Sequence, residues 1–324
     1  MTNLLHELVL APCRLPPEGR NTDSLQTALS VDFQALGSNR TVHLSTPWIL
    51  RRWADRSAVP DWPELCAVMH KFGGAVVAPA ADLAAVDVSH LPVRIGPVCR
   101  DTPLDPDEIG TADLIEFDLR HASNKRWGWP VELESEGKLF AFIEALRIAA
   151  GGDVPVGLAL PLNCQADELR KVMQSGADFV SLVAERHDPM QAWVLRGIRA
   201  ARESCVAEGM PDLPLLLDAE LDSPWAAFVC LALGASAVTV DAMLAPILAQ
   251  QTAQQPVSGM LAGILPDFPA AGRADRIAAL LDEANDQMHE LLRLQGVRRL
   301  GELSPKCLRA VRPDVARITG VDQL

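Results

Sequence analysis

Carboxylates recur at the ends of short apolar runs in this chain. Asp118 closes one run, with Arg120 and His121 just behind it; Glu185 and His187 follow another; Asp218 with Glu220, and then Asp241, close the last two. Arg100-Asp101 and Asn163-Cys164 hold equivalent places. Carboxylates brought to one mouth from several strands could hold a divalent cation or work as an acid/base pair. His187 beside Glu185 is the best single proton carrier, because histidine alone titrates near neutral pH without perturbation, and Asp118 is the third catalytic candidate. A metal-dependent lyase or hydrolase would draw on Asp118, Glu185, Asp218 and Asp241. The plainer reading is that acidic and hydroxyl residues at strand ends cap the helices that follow, as Asp188 before Pro189 and Asp222 or Ser223 before Pro224 are placed to do. Cys99 and Cys164 also stand at strand ends, but nothing nearby lowers a thiol pKa, and inert buried thiols are expected. Arg51, Arg52 and Arg56 could bind an anion at the mouth; ion pairing on the surface of an acidic protein is the duller expectation. The chain has no tyrosine, so tyrosine acid catalysis is excluded.

These residues need a frame. Residues 213–217 are a short apolar run ending in Asp218-Ala219-Glu220; Ser223-Pro224 opens a helix that stays apolar to Leu233 and stops at Gly234; residues 237–240 form the next apolar run, closed by Asp241. Strands apolar on both faces around a helix predict a parallel sheet covered by helices. The same alternation gives strands at 42–45, 75–78, 93–98, 112–119, 154–160 and 178–183, with helices at 63–72, 132–150, 167–175 and 189–208 between them. Eight strands fit a (β/α)8 TIM barrel, with a doubly wound sheet as the alternative. Residues 1–40 read as an N-terminal arm, 41–249 as the barrel, and 250–324 as a linker and C-terminal helical extension. In that extension 274–295 carries Ile277, Leu280, Leu281, Met288, Leu291 and Leu292 on one stripe. The stripe is expected to pack outside the barrel or against another subunit.

Composition removes several partners. The 324 residues carry 29 basic and 42 acidic side chains, a formal charge of −13, with basic residues clustered no further than pairs, so nucleic acid and anionic membranes are not expected. Seven scattered cysteines without Cys-x-x-Cys spacing suggest neither a disulfide framework nor a zinc site, and fit reduced cytoplasmic thiols. The first apolar run contains His6 and Glu7 and lacks a basic lead, which is unlike a signal peptide.

Three stretches resemble the FMN-binding barrel of glutamate synthase and its stand-alone relatives. They are Leu36-Gly37 through Val42-His43-Leu44-Ser45-Thr46-Pro47-Trp48-Ile49; Ala232-Leu233-Gly234-Ala235-Ser236-Ala237-Val238; and the tail from Glu290 through Gly296-Val297-Arg298-Arg299-Leu300-Gly301-Glu302-Leu303-Ser304-Pro305 to Ile318-Thr319-Gly320-Val321. The resemblance implies a flavin barrel, FMN as cofactor and, in an active member, an oxidoreductase acting on an amino acid or similar small substrate. Ala219, Glu220, Asp241 and Ala242 match the family's phosphate site, but its glycines are absent. Arg51-Arg52-Trp53-Ala54-Asp55-Arg56 stands where relatives have a glycine-containing turn, and 155–160 lacks their flavin-facing lysine. Glu185-Arg186-His187-Asp188-Pro189 replaces a glycine-rich loop, and the iron–sulfur cysteines have no counterpart. A carboxylate at a phosphate cradle repels its ligand. The expectation is therefore a scaffold whose flavin site has been lost, with no cofactor bound and the mouth filled by Trp53, Glu220 and their neighbours. It would act as a non-catalytic subunit, alone as a homo-oligomer or beside an intact paralogous subunit.

Overall fold

The computed structural model describes residues 7–11, 26–51, 62–99, 105–119, 136–184, 192–248 and 272–324. In chain order its strands are β1 (Leu8–Leu10), β2 (Val31–Gln34), β3 (Thr41–Leu44), β4 (Trp48–Arg51), β5 (Ala75–Val77), β6 (Val93–Cys99), β7 (Leu114–Asp118), β8 (Val156–Pro161), β9 (Phe179–Val183), β10 (Leu215–Asp218), β11 (Ala237–Thr239) and β12 (Leu308–Ala310). The helices are α1 (Trp62–Lys71), α2 (Ala80–Leu83), α3 (Pro106–Gly110), α4 (Glu136–Ala149), α5 (Ala166–Gln174), α6 (Ala192–Ala207), α7 (Pro224–Leu233), α8 (Asp241–Leu248), α9 (Arg273–Gln295) and α10 (Pro313–Thr319).

Strands β4 to β11 close into an eight-stranded parallel barrel, with β11 paired to β4 through Val238 opposite Trp48 and Thr239 opposite Ile49. The fold is thus an α/β TIM barrel. Seven of its strands fall where the apolar runs place them. The first does not: residues 42–45 form β3, half of an antiparallel hairpin with β2, and the barrel begins after Pro47 at Trp48. The alternating burial of β2 and β3 already separates them from the barrel strands, which are buried nearly throughout.

The hairpin closes the N-terminal end of the barrel. Phe33 packs edge-on against Phe179, at the start of β9, with ring centroids 5.7 Å apart. Gly157 on β8 makes room for that ring, since a Cβ there would lie 2.4 Å from Phe179. The Leu36 and Val156 amides both donate to Asp178, at 2.6 and 2.8 Å. A long helix, α9, crosses the outside against α1, α7 and α8, burying Ile277, Leu280, Leu281, Met288 and Leu292. The Trp48 indole N–H donates to Asn285 on that helix at 2.7 Å, so the apolar stripe is satisfied within this chain. Strands β1 and β12 pair as a separate ribbon. Among the described residues no helix is long and apolar enough to cross a membrane.

Candidate functional site at the barrel mouth

Side chains alternate along a strand, so if Trp48 on β4 faces outward to α9, Ile49 and Arg51 face inward. At the C-terminal end of the barrel Arg51 meets Glu116 of β7 in a two-pronged ion pair: Nη1 donates to Oε1 at 2.8 Å and Nη2 to Oε2 at 2.6 Å. Glu116 is fully buried, and its Oε2 also takes the hydroxyl of Ser181 on β9. Arg51 Nε lies 3.1 Å from Asp218 Oδ2 on β10, close enough for charge attraction but not aligned as a hydrogen bond. The Thr239 hydroxyl on β11 is 3.3 Å from Asp218 Oδ1. Finally, the backbone N–H of Arg51 donates to Asp241 Oδ2 at 2.9 Å. The Arg51 guanidinium thus links β4 to β7 and β10, Ser181 and Thr239 add β9 and β11 through the two carboxylates, and the Arg51 backbone amide ties in the head of α8.

The electrostatics follow from burial and charge. Burial alone pulls the Arg51 pKa down, but Glu116, Asp218 and Asp118 more than reverse it and hold the guanidinium above its ordinary value. Asp241 moves the other way for a carboxylate. Burial, then repulsion from Asp218, push it up to about 7, against the opposing pull of the Arg51 amide and charge. Its Oδ1 is shielded from solvent and has no hydrogen-bond partner. Such an atom is costly, because nothing replaces the water it has lost.

The structure sorts the residues that the sequence singles out. Asp118, Asp218 and Asp241 all lie near Arg51 at the mouth. Glu220 is exposed, and Ala242 is half-buried on α8. Glu185, His187, Asp188, Arg100, Asp101, Arg120, His121 and the segment from Arg52 to Arg56, Trp53 included, lie outside the described residues. Among those described, no group of three or more His, Cys, Asp or Glu is arranged to hold a metal ion. Burial and the nearby Glu168 push the Cys164 thiol up to about 12, an unreactive value. Arg51 corrects the expectation of a surface ion pair: its side chain is 13% exposed and spends its charge inside the barrel. Glu116 and Ser181 were missed. The signal for Glu116 was visible, a lone charge in the middle of the run Leu114-Ile115-Glu116-Phe117.

In a TIM barrel the usual phosphate site lies between the loops after the seventh and eighth strands and the head of a short helix, here the region of Ala219 and α8. FMN needs free N–H groups there. The Ala219 N–H instead points to Thr239 Oγ1 at 3.2 Å, and the head of α8 carries the Asp241 carboxylate, with Asp218 alongside. The inward positions of β8, Gly157 and Ala159, offer no cation to a flavin ring. The described residues do not fit FMN.

No family model matches the chain, and no curated protein matches it. Its fold has many counterparts among solved structures. One is a flavocytochrome b2 variant with pyruvate bound, with a TM-score of 0.64 and 13% identity over 94% of this chain and 77% of that one. Another is a mandelate oxidase variant with the monooxide FMN adduct, with a TM-score of 0.58 and 15% identity over 92% of this chain and 86% of the other. A second mandelate oxidase complex, holding (S)-mandelic acid, matches with a TM-score of 0.58 at 15% identity, over 92% and 84% of the two chains. These likenesses define a barrel of the kind used by flavin enzymes, and at such identities they speak for the fold alone.

Proposed function

We propose that this chain is a flavin-barrel protein of the glutamate synthase kind that has given up its FMN site and serves as a non-catalytic subunit or scaffold, self-associated or beside an intact paralogue. The observation that carries the reading is the inversion of charge at the phosphate region. Asp241 stands at the head of α8 with one oxygen unpartnered, and Asp218 stands beside it. Two carboxylates in a poorly screened pocket oppose a phosphate dianion. The interior that a flavin ring would approach is crossed by the Arg51–Glu116 pair, which ties β4 to β7 without a cofactor.

A second reading has its own support. Solved structures that share the fold include a complex with an FMN adduct and others with small hydroxy or keto acids, which favours an FMN-dependent oxidoreductase acting on a small acid or amino acid. Under it the flavin would be held by segments other than those described. One experiment separates the two: purified chain is incubated with excess FMN, desalted, and its visible spectrum recorded. The first reading expects a colourless protein; a yellow complex with one flavin per chain establishes the second. Light scattering of the same sample reports the self-association that the first reading requires in the absence of a partner.

A further inference from the structure

We propose that the groove between α5 and α6 binds a medium-chain aliphatic monocarboxylate, with its carboxylate on Arg196 and its chain along the apolar walls. The inference goes beyond the reading given above and stands whether or not FMN binds, since none of Arg51, Glu116, Asp218 and Asp241 lines this space. A cavity of about 660 Å³ opens here over the C-terminal ends of β8 and β9, a size that suits a small organic ligand. Leu162, Leu169, Val183 and Val194 wall it with buried aliphatic side chains. Its shape follows from the sequence of α6. Trp193, Arg196, Gly197, Ala200 and Ser204 recur at three- and four-residue spacing, so they share one face of the helix, on which the small residues leave room and the two large ones stand at the N-terminal turns. Gly197 is required where α6 presses on the turn after β8: a Cβ there would lie 2.6 Å from Leu162 Cγ and 2.9 Å from the Leu162 carbonyl oxygen.

The second observation is what this lining leaves unanswered. The Arg196 side chain makes no ion pair or hydrogen bond with any described residue, and the positions one turn away on its own helix, Ala192, Trp193, Arg199 and Ala200, offer it no carboxylate. The acids around the groove are engaged elsewhere: Asp167 and Glu208 pair with Arg170 at 2.9 and 2.8 Å, and Glu168 accepts the Gln165 N–H at 2.8 Å. In a chain of formal charge −13, a guanidinium without a partner on the wall of an apolar cavity selects an anion. Trp193 is 62% exposed, so a large aromatic surface stands wet beside that cation. An aliphatic carboxylate answers both, with two oxygens for the guanidinium fork and methylenes that take Trp193 and the walls out of water. An alcohol of the same length brings the chain without the charge, and acetate the charge without the chain. Cys164 lines the same space, but its thiol, pushed up to about 12 by burial and then by Glu168, stays protonated and takes no part.

The test is calorimetric titration of the intact chain with sodium octanoate below its micellar concentration, against octan-1-ol and sodium acetate at matched ionic strength. Expected are saturable one-to-one binding of octanoate, much weaker binding of octanol and none of acetate, and a blue shift of tryptophan emission that disappears in Trp193→Phe. Arg196→Gln should weaken octanoate binding about tenfold or more and Arg196→Lys by less, because the first removes the charge and the second keeps it without the fork. Ala200→Leu, which fills the groove with a good helix former, should weaken it about tenfold or more, while Glu283→Gln, on the exposed side of α9, should leave it unchanged. Circular dichroism confirms that each variant is folded, and wild-type chain alone decides the first outcome. Absence of saturable octanoate binding, octanol bound as tightly as octanoate, or binding indifferent to Arg196→Gln or to Ala200→Leu overturns the proposal. A dimer in light scattering that Ala200→Leu disrupts, with no octanoate bound, would give the groove to a second copy of the chain and overturn it as well.

Discussion

The two ends of the barrel use the same residue types in opposite ways. At the N-terminal end Arg202 on α6 spends its guanidinium mainly on backbone: Nη1 donates to the carbonyls of Pro211 and Leu213, Nε and Nη2 to that of Gly234, and Nη2 also reaches the Ser236 hydroxyl. Asp178, at the same end, accepts from Leu36 at one oxygen and from Val156 and Arg147 at the other. Both oxygens of Asp178 are thus taken, and only Arg147 Nε is buried there without a partner. At the C-terminal end Arg51 is shared among several acids, and Asp241 keeps one oxygen unanswered. The carboxylates differ most: Asp178 is answered at both oxygens, whereas Asp241 is answered at one. The mouth is the end at which a TIM barrel carries its working residues, and the proposed reading places the lost cofactor site there.

Removing the central cation should break the comparison hardest. Arg51→Met strips buried Glu116 of its two-pronged cationic partner, and the expected loss is about 3–5 kcal/mol of unfolding free energy in urea titrations. The double variant Arg51→Met with Glu116→Leu should recover most of that loss, since an apolar pair of similar volume carries no desolvation penalty. A single-variant loss below about 1 kcal/mol would mean that the pair is not formed.

Asp241→Asn sharpens the contrast by its sign. The folded-state pKa is raised from 3.8 to about 7, so the folded chain binds more protons than the unfolded one between those values. The contribution of Asp241 to stability therefore falls as pH rises through that window and levels off above it. The asparagine variant does not titrate. It should match wild type near pH 4 and exceed it by up to about 4 kcal/mol above pH 7. Parallel pH profiles of the two proteins would remove the strain assigned to this residue.

At the satisfied end the effect should be smaller and free of this pH signature. Arg202→Met strips donors from the carbonyls of Pro211, Leu213 and Gly234, and about 1–2 kcal/mol should be lost. Equal losses across the range from pH 4 to 8 would agree with a purely structural arginine. A loss that tracked the Asp241 profile would instead couple the two ends.

Much of this architecture is legible in the chain because a parallel barrel leaves a strong mark. Its strands are apolar on both faces, and Ser223-Pro224 and Gly234 delimit α7 as the residue types require: the Ser223 hydroxyl accepts from the Ala226 amide, and Gly234 adopts φ 125°. The barrel's first strand was misplaced because residues 42–45 alternate cleanly, while Trp48-Ile49-Leu50-Arg51 is short and follows Pro47. Strand-end carboxylates were legible singly. Their meeting was not, because Arg51 and Glu116 are 65 residues apart and only barrel closure brings β4 opposite β7. Ser181 gave no signal at all, being one small hydroxyl in an apolar run.

The central claim is that carboxylates hold the ground on which a phosphate would sit. It is tested most directly by calorimetric titration of FMN into wild type and into the double variant Asp218→Asn, Asp241→Asn. Wild type should give no saturable heat, and the double variant, relieved of both charges, should gain measurable affinity. Tight one-to-one binding of FMN by the wild-type chain would contradict the account.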